Sequence, residues 1–131
     1  EDIASLETFM YNIEANGRLL RTVLKDAKTQ GKKAYVYGAS TKGNTMLQLW
    51  NLEGLFEGAA EIHPDKIGRY TVGTKIPIIS EEEAREKADI FFVPNFGFRD
   101  MFIEKEKEFL SNGGRMIFAM PEVRVVHGDN S

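Results

Sequence analysis

Apolar side chains recur at helical spacing over the first thirty residues, which predicts one long amphipathic helix. Glu1 and Asp2 open this stretch and basic residues gather near its end, an arrangement that suits the helix dipole. Gly31 is the expected end of the helix, because glycine readily adopts the left-handed conformation that terminates helices. Gly17, near the middle, weakens the helix and predicts a point at which it can bend.

After this helix, short apolar runs alternate with helix-patterned stretches. The runs predict five strands, at residues 33–37, 56–62, 75–79, 89–93 and 115–120. Strands that alternate with helices imply a parallel sheet with helices on both faces. The sequence therefore predicts an α/β fold, a Rossmann-like three-layer domain with a mainly parallel sheet of about five strands, preceded by the long N-terminal helix. We divide the chain into a connecting helix at 1–31, the Rossmann-like domain at 32–126 and a tail at 127–131.

The helices between the strands carry two further patterns. Ser80 with Glu83 forms a capping box, which predicts that a helix begins there and runs to Ala88. Phenylalanines at helical spacing predict another helix, over residues 98–110, whose aromatic rings belong to the core. The alternating charges at 104–108 predict a solvated face of that helix.

The stretch from Tyr37 to Thr45, Y-G-A-S-T-K-G-N-T, is the candidate site. It joins a predicted strand to a helix-patterned stretch at 45–50 through a glycine-containing turn. Backbone N–H groups at a helix start have no intrahelical partner, and the helix dipole favours negative charge there. We therefore expect an anionic group to bind at this turn. The alternative is a tight strand-to-helix connection in which Ser40 or Thr41 caps the helix.

Three familiar fingerprints fail at this turn. Gly38, Gly43 and Thr45 fit the P-loop, but Asn44 stands where that motif needs lysine, and Lys42 precedes the second glycine. The dinucleotide motif needs a middle glycine where this chain has Ser40, so a side chain obstructs a pyrophosphate in the usual pose. The nucleophile elbow is broken by Lys42. A phosphate-facing turn is consistent with all three results, whereas a specific nucleotide chemistry is not.

Further candidate residues follow the other strands, whose carboxyl ends meet at one edge of a parallel sheet. Glu61 closes the second strand, 18 residues after Gly43. An acid at this distance accepts hydrogen bonds from ribose in dinucleotide-binding folds, and the alternative is a surface acid. Lys66 and Arg69 lie in the next loop and could contact a phosphate or a neighbouring domain. The alternative is that both are solvated charges of the loop. Asn95 follows Pro94 after the fourth strand.

Composition narrows the function classes. The chain has 131 residues, a net charge of -3 and no cysteine, so a single domain is expected, with no nucleic-acid surface, disulfide or thiolate site. A cytoplasmic location fits these features, since neither a signal peptide nor an apolar run of roughly 18 to 20 residues is visible. His63 and His127 lack clustered carboxylates, which argues against a metal site and a catalytic triad. From these residues we expect no metal, no membrane and no complete catalytic set.

Three ordered motifs resemble those of one known family. They are the turn at 37–45, the loop K-I-G-R-Y-T-V-G-T-K-I-P-I at 66–78, and G-G-R-M-I-F-A-M-P-E at 113–122. In order and spacing they resemble the C-terminal domain of S-adenosylmethionine-dependent C-methyltransferases that act on nucleotide-linked deoxysugars. The resemblance covers about residues 10–126.

The resemblance implies a domain that works within a larger enzyme. In the family, a zinc-binding region and a methyl-donor-binding Rossmann domain come first, and the sugar nucleotide sits between that domain and the C-terminal one. S-adenosylmethionine would then be bound mainly by a domain outside this chain, and the partners would be a nucleotide-linked sugar or similar acceptor and the upstream methyltransferase domain. The chain opens without an initiator methionine, as a piece of a longer protein would, and alone it is expected to have no activity. With the strand-end candidates, the expected substrate-binding residues are Gly38, Ser40, Thr41, Lys42, Gly43, Asn44, Thr45, Glu61, Lys66, Arg69, Tyr70 and Asn95.

Two departures from the family pattern fall at the ligand edge. The family usually has an aspartate where this chain has Glu61. It also tends to carry a tryptophan between a proline and an asparagine, whereas Pro94 and Asn95 are adjacent in this chain. The acceptor can therefore differ from a typical deoxysugar. The alternatives are a freestanding nucleotide-binding module without catalysis and an interaction platform that oligomerises through the first helix.

Overall fold

The computed structural model describes residues 3–119 and 123–128. Its strands and helices follow the chain order that the sequence pattern indicated, with β2 followed directly by β3. In chain order they are α1 (Ile3–Thr29), β1 (Ala34–Tyr37), α2 (Thr41–Leu49), β2 (Gly58–Glu61), β3 (Ile78–Ser80), α3 (Glu81–Lys87), β4 (Ile90–Phe92), α4 (Arg99–Lys105), α5 (Lys107–Ser111), β5 (Arg115–Phe118) and β6 (Arg124–Val126).

The strands form one sheet in the order β3-β2-β1-β4-β5-β6. The first five strands pair in parallel, and β6 pairs antiparallel with β5. The strand order reverses at β1, which has β2 on one side and β4 on the other, so the carboxyl end of β1 lies at a topological switch point. The prediction of about five strands missed β6, a three-residue edge strand whose first residue, Arg124, is exposed.

One face of the sheet is covered by α1 and α2. Leu20 and Leu24 of α1 and Leu47 of α2 are buried there. Gly17 lets α1 approach this layer closely, because a Cβ at that position would lie 2.3 Å from Cδ1 of Trp50. The helix continues without a break through Gly17, whose role is therefore to allow close packing against Trp50. The buried strand residues on this face are Val36, Ala59, Ile78, Phe92 and Ile117.

The opposite face is covered by α3, α4 and α5. Ala84 of α3 and Phe109 of α5 are buried against it, as are the strand residues Tyr35, Tyr37, Phe91, Met116 and Phe118. Successive strand residues point to opposite faces, so a sheet covered on both sides needs near-continuous apolar strands. The predicted α/β, three-layer fold with a long N-terminal helix is confirmed.

The helix predicted over residues 98–110 is two helices, α4 and α5, which meet at Glu106. The prediction that residues 104–108 form a solvated face is wrong for Glu106, whose exposed fraction is 1%. Its carboxylate accepts hydrogen bonds from the Tyr37 hydroxyl at 2.6 Å and from Arg85 at 2.6 and 2.7 Å. Partners on β1 and α3 therefore allow this acid to be buried.

Ser80 caps α3 as predicted, since its hydroxyl accepts a hydrogen bond from the Glu83 N–H at 3.1 Å. The Glu83 carboxylate accepts from the Lys87 ammonium at 2.7 Å, so the cap is confirmed and the reciprocal half of the capping box is not. The third strand begins later than predicted, at Ile78, because the residues before it form an irregular hairpin in which Tyr70 pairs with Pro77. None of the helices in the described ranges is long and apolar enough to cross a membrane.

Candidate functional site

The predicted turn lies at the carboxyl end of β1, where the strand order reverses. Gly38 adopts a φ of +95°, which favours glycine, and its N–H donates to the Ala60 carbonyl of β2. Ser40 caps α2, since its Oγ accepts a hydrogen bond from the Gly43 N–H at 3.0 Å. The helix therefore begins at Thr41, one turn earlier than its apolar pattern indicated.

Gly43 brings the first turn of α2 against the end of β4. A Cβ at Gly43 would lie 2.8 Å from Cγ of Pro94, so any side chain would force these elements apart. Asn95, the next residue along the chain, is exposed. The close contact thus places the loop after β4 beside the turn after β1.

Glu61 joins the end of β2 to the same turn. Its Oε1 accepts a hydrogen bond from the Ala39 N–H, and its Oε2 accepts from the N–H groups of Ile62 and His63, at distances of 3.0 to 3.1 Å. Burial opposes ionisation, but these three donors and the charge of Lys66 hold the pKa of Glu61 below its ordinary value. The carboxylate is therefore ionised at neutral pH and fixes the backbone of the turn. Its ribose contact stays a prediction.

A cation lies beside the turn on its solvent side. The Lys66 ammonium donates to the Ala39 carbonyl oxygen at 3.3 Å, and the residue is exposed. An exposed ammonium on a flexible stem can exchange such a contact for an anion at low cost. The structure thus brings Ser40, Gly43, Glu61 and Lys66 together, as the sequence predicted.

The Asn44 side chain has a different set of partners. Its Nδ2 donates to the Val72 carbonyl at 2.6 Å, and its Oδ1 accepts from the Thr74 hydroxyl at 2.5 Å. Both partners belong to the hairpin that precedes β3. Sequence reasoning missed Thr74, and no local spacing could have indicated it, because 30 residues separate it from Asn44.

Two further predicted residues, Arg69 and Tyr70, belong to the loop that precedes β3. The Arg69 carbonyl accepts from the Ile78 N–H, and Tyr70 pairs with Pro77. The Tyr70 side chain is 65% exposed, and ligand contacts of Arg69 and Tyr70 stay predictions.

The remaining predicted residues lie on α2. Thr41 and Lys42 occupy its first turn, and their side chains are outside the described part of the structure. Thr45 is exposed one turn further on.

Across residues 3–119 and 123–128, no group of three or more His, Cys, Asp or Glu side chains could hold a metal ion. The assembled groups are backbone N–H groups at the start of α2, the ammonium of Lys66 and the carboxylate of Glu61, whose oxygens accept hydrogen bonds from the backbone. Of these, the N–H groups and the ammonium suit the binding of an anion.

Comparison with known proteins identifies the family. The profile of the family described as the C-methyltransferase C-terminal domain matches residues 1–121. The chain is also 32% identical over 114 residues to the C-methyltransferase NovU of Streptomyces niveus, a match that covers 86% of this chain and 27% of NovU. The chain thus spans about a quarter of the length of that relative. It belongs to the C-methyltransferase C-terminal domain family.

Proposed function

We propose that this chain binds the acceptor in an S-adenosylmethionine-dependent C-methyltransferase whose acceptor is a nucleotide-linked sugar or a related small molecule. The observation that carries the proposal is the juxtaposition of a Ser40-capped helix start with the ammonium of Lys66. The similarity to NovU, a C-methyltransferase, supports the reaction class. The catalytic and donor-binding domain then lies outside this chain.

The turn supplies two kinds of attraction for a diphosphate. In any α-helix the first N–H groups have no carbonyl partner within the helix, and at α2 the Ser40 hydroxyl accepts a hydrogen bond from that of Gly43. The N–H groups of Thr41 and Lys42 are therefore positioned to donate to phosphate oxygens, aided by the helix dipole. The ammonium of Lys66 adds a full positive charge on the solvent side.

These groups do not suit the reactive centre of the methyl donor. The transferred methyl group of S-adenosylmethionine is carried by a positively charged sulfonium, which a helix N-terminus and a lysine both repel. We therefore assign no donor contact and no acid–base residue to this chain. Its part in the reaction is to hold the acceptor in one orientation, so that proximity lowers the barrier to transfer. Methyl transfer by the chain alone would contradict this division of labour.

The binding claim is tested by titrating the protein with thymidine diphosphate glucose while following backbone amide shifts. We expect the shifts to centre on residues 38–45. Lys66→Ala should weaken binding roughly 3- to 10-fold, as loss of one charge-assisted contact at an exposed site would. Lys107→Ala, an exposed lysine on α5 in the opposite layer, is the matched control and should bind like the parent. A titration in which the turn residues do not shift would overturn the proposal.

A further inference from the structure

The loop between β2 and β3 is attached to the start of α2 at two separate points. Near the top of the helix, Lys66 contacts the Ala39 carbonyl. Further along the loop, Val72 and Thr74 contact the side chain of Asn44. The loop therefore follows the flank of α2 from its first turn downwards, with the cation at one attachment and the amide at the other.

The lower attachment is continuous with the core. The Thr74 hydroxyl, which donates to Asn44, is also hydrogen-bonded to the hydroxyl of Thr71. The Thr71 hydroxyl in turn accepts from the N–H of Ile76 at 2.8 Å, and Ile76 is buried. A chain of hydrogen bonds thus runs from α2 through the hairpin to a residue packed beneath it, which fixes the hairpin in one position.

The tip of the hairpin fits closely against the next turn of α2. Gly73 has a φ of +79°, and a Cβ there would lie 2.5 Å from Nε2 of Gln48. Both polar atoms of the Asn44 side chain face this hairpin, with one donating and the other accepting. An amide engaged in this way positions the loop and is not directed at a ligand on the turn.

We propose that Asn44 and Thr74 are positioning residues of the acceptor site, which hold the β2–β3 loop on α2 so that Lys66 stays beside the turn. This inference rests on the proposed function, because it assigns to Lys66 the phosphates of the acceptor. It gives Asn44 an indirect role in binding and gives Thr74, which the sequence did not single out, an equal one.

The test compares dissociation constants for thymidine diphosphate glucose across hydroxyl and amide variants. Thr74→Val removes the donor to Asn44 and should weaken binding by the same factor as Lys66→Ala. Thr74→Ser keeps a hydroxyl and should bind like the parent. Asn44→Ala should weaken binding similarly, and the double variant of Asn44→Ala with Lys66→Ala should bind no more weakly than Lys66→Ala alone. Such non-additivity is expected only if Asn44 acts through Lys66.

Each alternative result has a defined meaning. The inference would be overturned if the losses of affinity in the double variant were additive. It would also be overturned if Thr74→Val bound with normal affinity while Asn44→Ala bound weakly. Either result would show that Asn44 contacts the ligand directly. If Asn44→Ala fails to fold, the comparison of Thr74→Val with Thr74→Ser still decides. If the parent binds but Lys66→Ala binds equally well, the inference is overturned while the turn remains testable by its amide shifts. If the parent does not bind at all, both proposals are wrong.

Discussion

At the scale of single residues, Glu106 shows how a buried charge is accommodated in this fold. Its carboxylate is held by the Tyr37 hydroxyl and by the Arg85 guanidinium, which also contacts Glu81. Burial opposes ionisation, but the hydrogen bonds from Arg85 and Tyr37 hold the pKa of Glu106 below its ordinary value. Burial, together with the hydrogen bond to the same carboxylate, raises the pKa of Tyr37 far above its ordinary value.

Removing this carboxylate should destabilise the protein strongly. Glu106→Ala leaves Arg85 without its inner partner and opens a cavity beside Tyr37, so we expect a loss of about 3 to 5 kcal/mol in the free energy of unfolding. The measurement is urea unfolding at neutral pH. Glu108→Ala, an exposed acid two residues away on α5, is the control and should change stability by less than about 0.5 kcal/mol. Equal effects of the two substitutions would contradict the buried network.

At the scale of elements, the site depends on how closely α2 approaches the end of β4. Gly43 lies in the first turn of the helix, against the ring of Pro94. Glycine is costly inside a helix, so its presence here reflects packing and not local preference. The turn and the loop after β4 lie side by side because this contact is short, and Glu61 joins the end of β2 to the same turn.

Gly43→Ala tests the importance of that contact. The added methyl would lie 2.8 Å from Cγ of Pro94, and we expect overpacking to lower stability by about 1 to 3 kcal/mol and to weaken nucleotide binding. Thermal unfolding and the titration described above measure the two effects. Gly54→Ala is the matched control, since a Cβ there meets nothing within 4 Å. An unchanged stability for Gly43→Ala would show that α2 shifts freely.

At the scale of the whole molecule, two buried carboxylates link separate parts of the fold. Glu61 connects β2 to the turn, and Glu106 connects β1 to the helices on the opposite face. Both groups have a pKa below the ordinary value of 4.5 in the folded protein. A lower pKa in the folded state than in the unfolded state means that folding favours the ionised carboxylate. Each group therefore stabilises the fold only while it is ionised.

The free energy of unfolding should therefore decrease as the pH is lowered. The contribution of both groups is complete above about pH 5 and is lost as the pH falls through their folded-state pKa values. Glu61→Gln should lower the free energy of unfolding at pH 7 and make it change less between about pH 5 and pH 3. Urea unfolding at several pH values provides the measurement, with the exposed Glu57 replaced by Gln as the control. A Glu61→Gln variant with the same acid dependence as the parent would rule out this contribution.

The sequence predicted the parts of the fold that depend on local pattern. The helical spacing of apolar residues located α1, and the Ser80–Glu83 pattern located the start of α3. Ser40 was one of two candidate caps because a hydroxyl before a helix can accept a hydrogen bond from an N–H of the first turn. By contrast, β6 was missed, because its three residues carry too little pattern to be recognised and its pairing with β5 depends on the tertiary structure.

The order of the first five strands along the chain, the turn at the end of β1 and the family to which the chain is similar follow from the sequence, since these depend on neighbouring residues and on motif spacing. The partners of the polar side chains follow only from the tertiary structure. Tyr37 and Glu106 are 69 residues apart, and Asn44 and Thr74 are 30 apart. A local pattern identifies a side chain as polar, but only the folded sheet and its helices determine whether that side chain meets solvent, a ligand or a distant residue of the same chain.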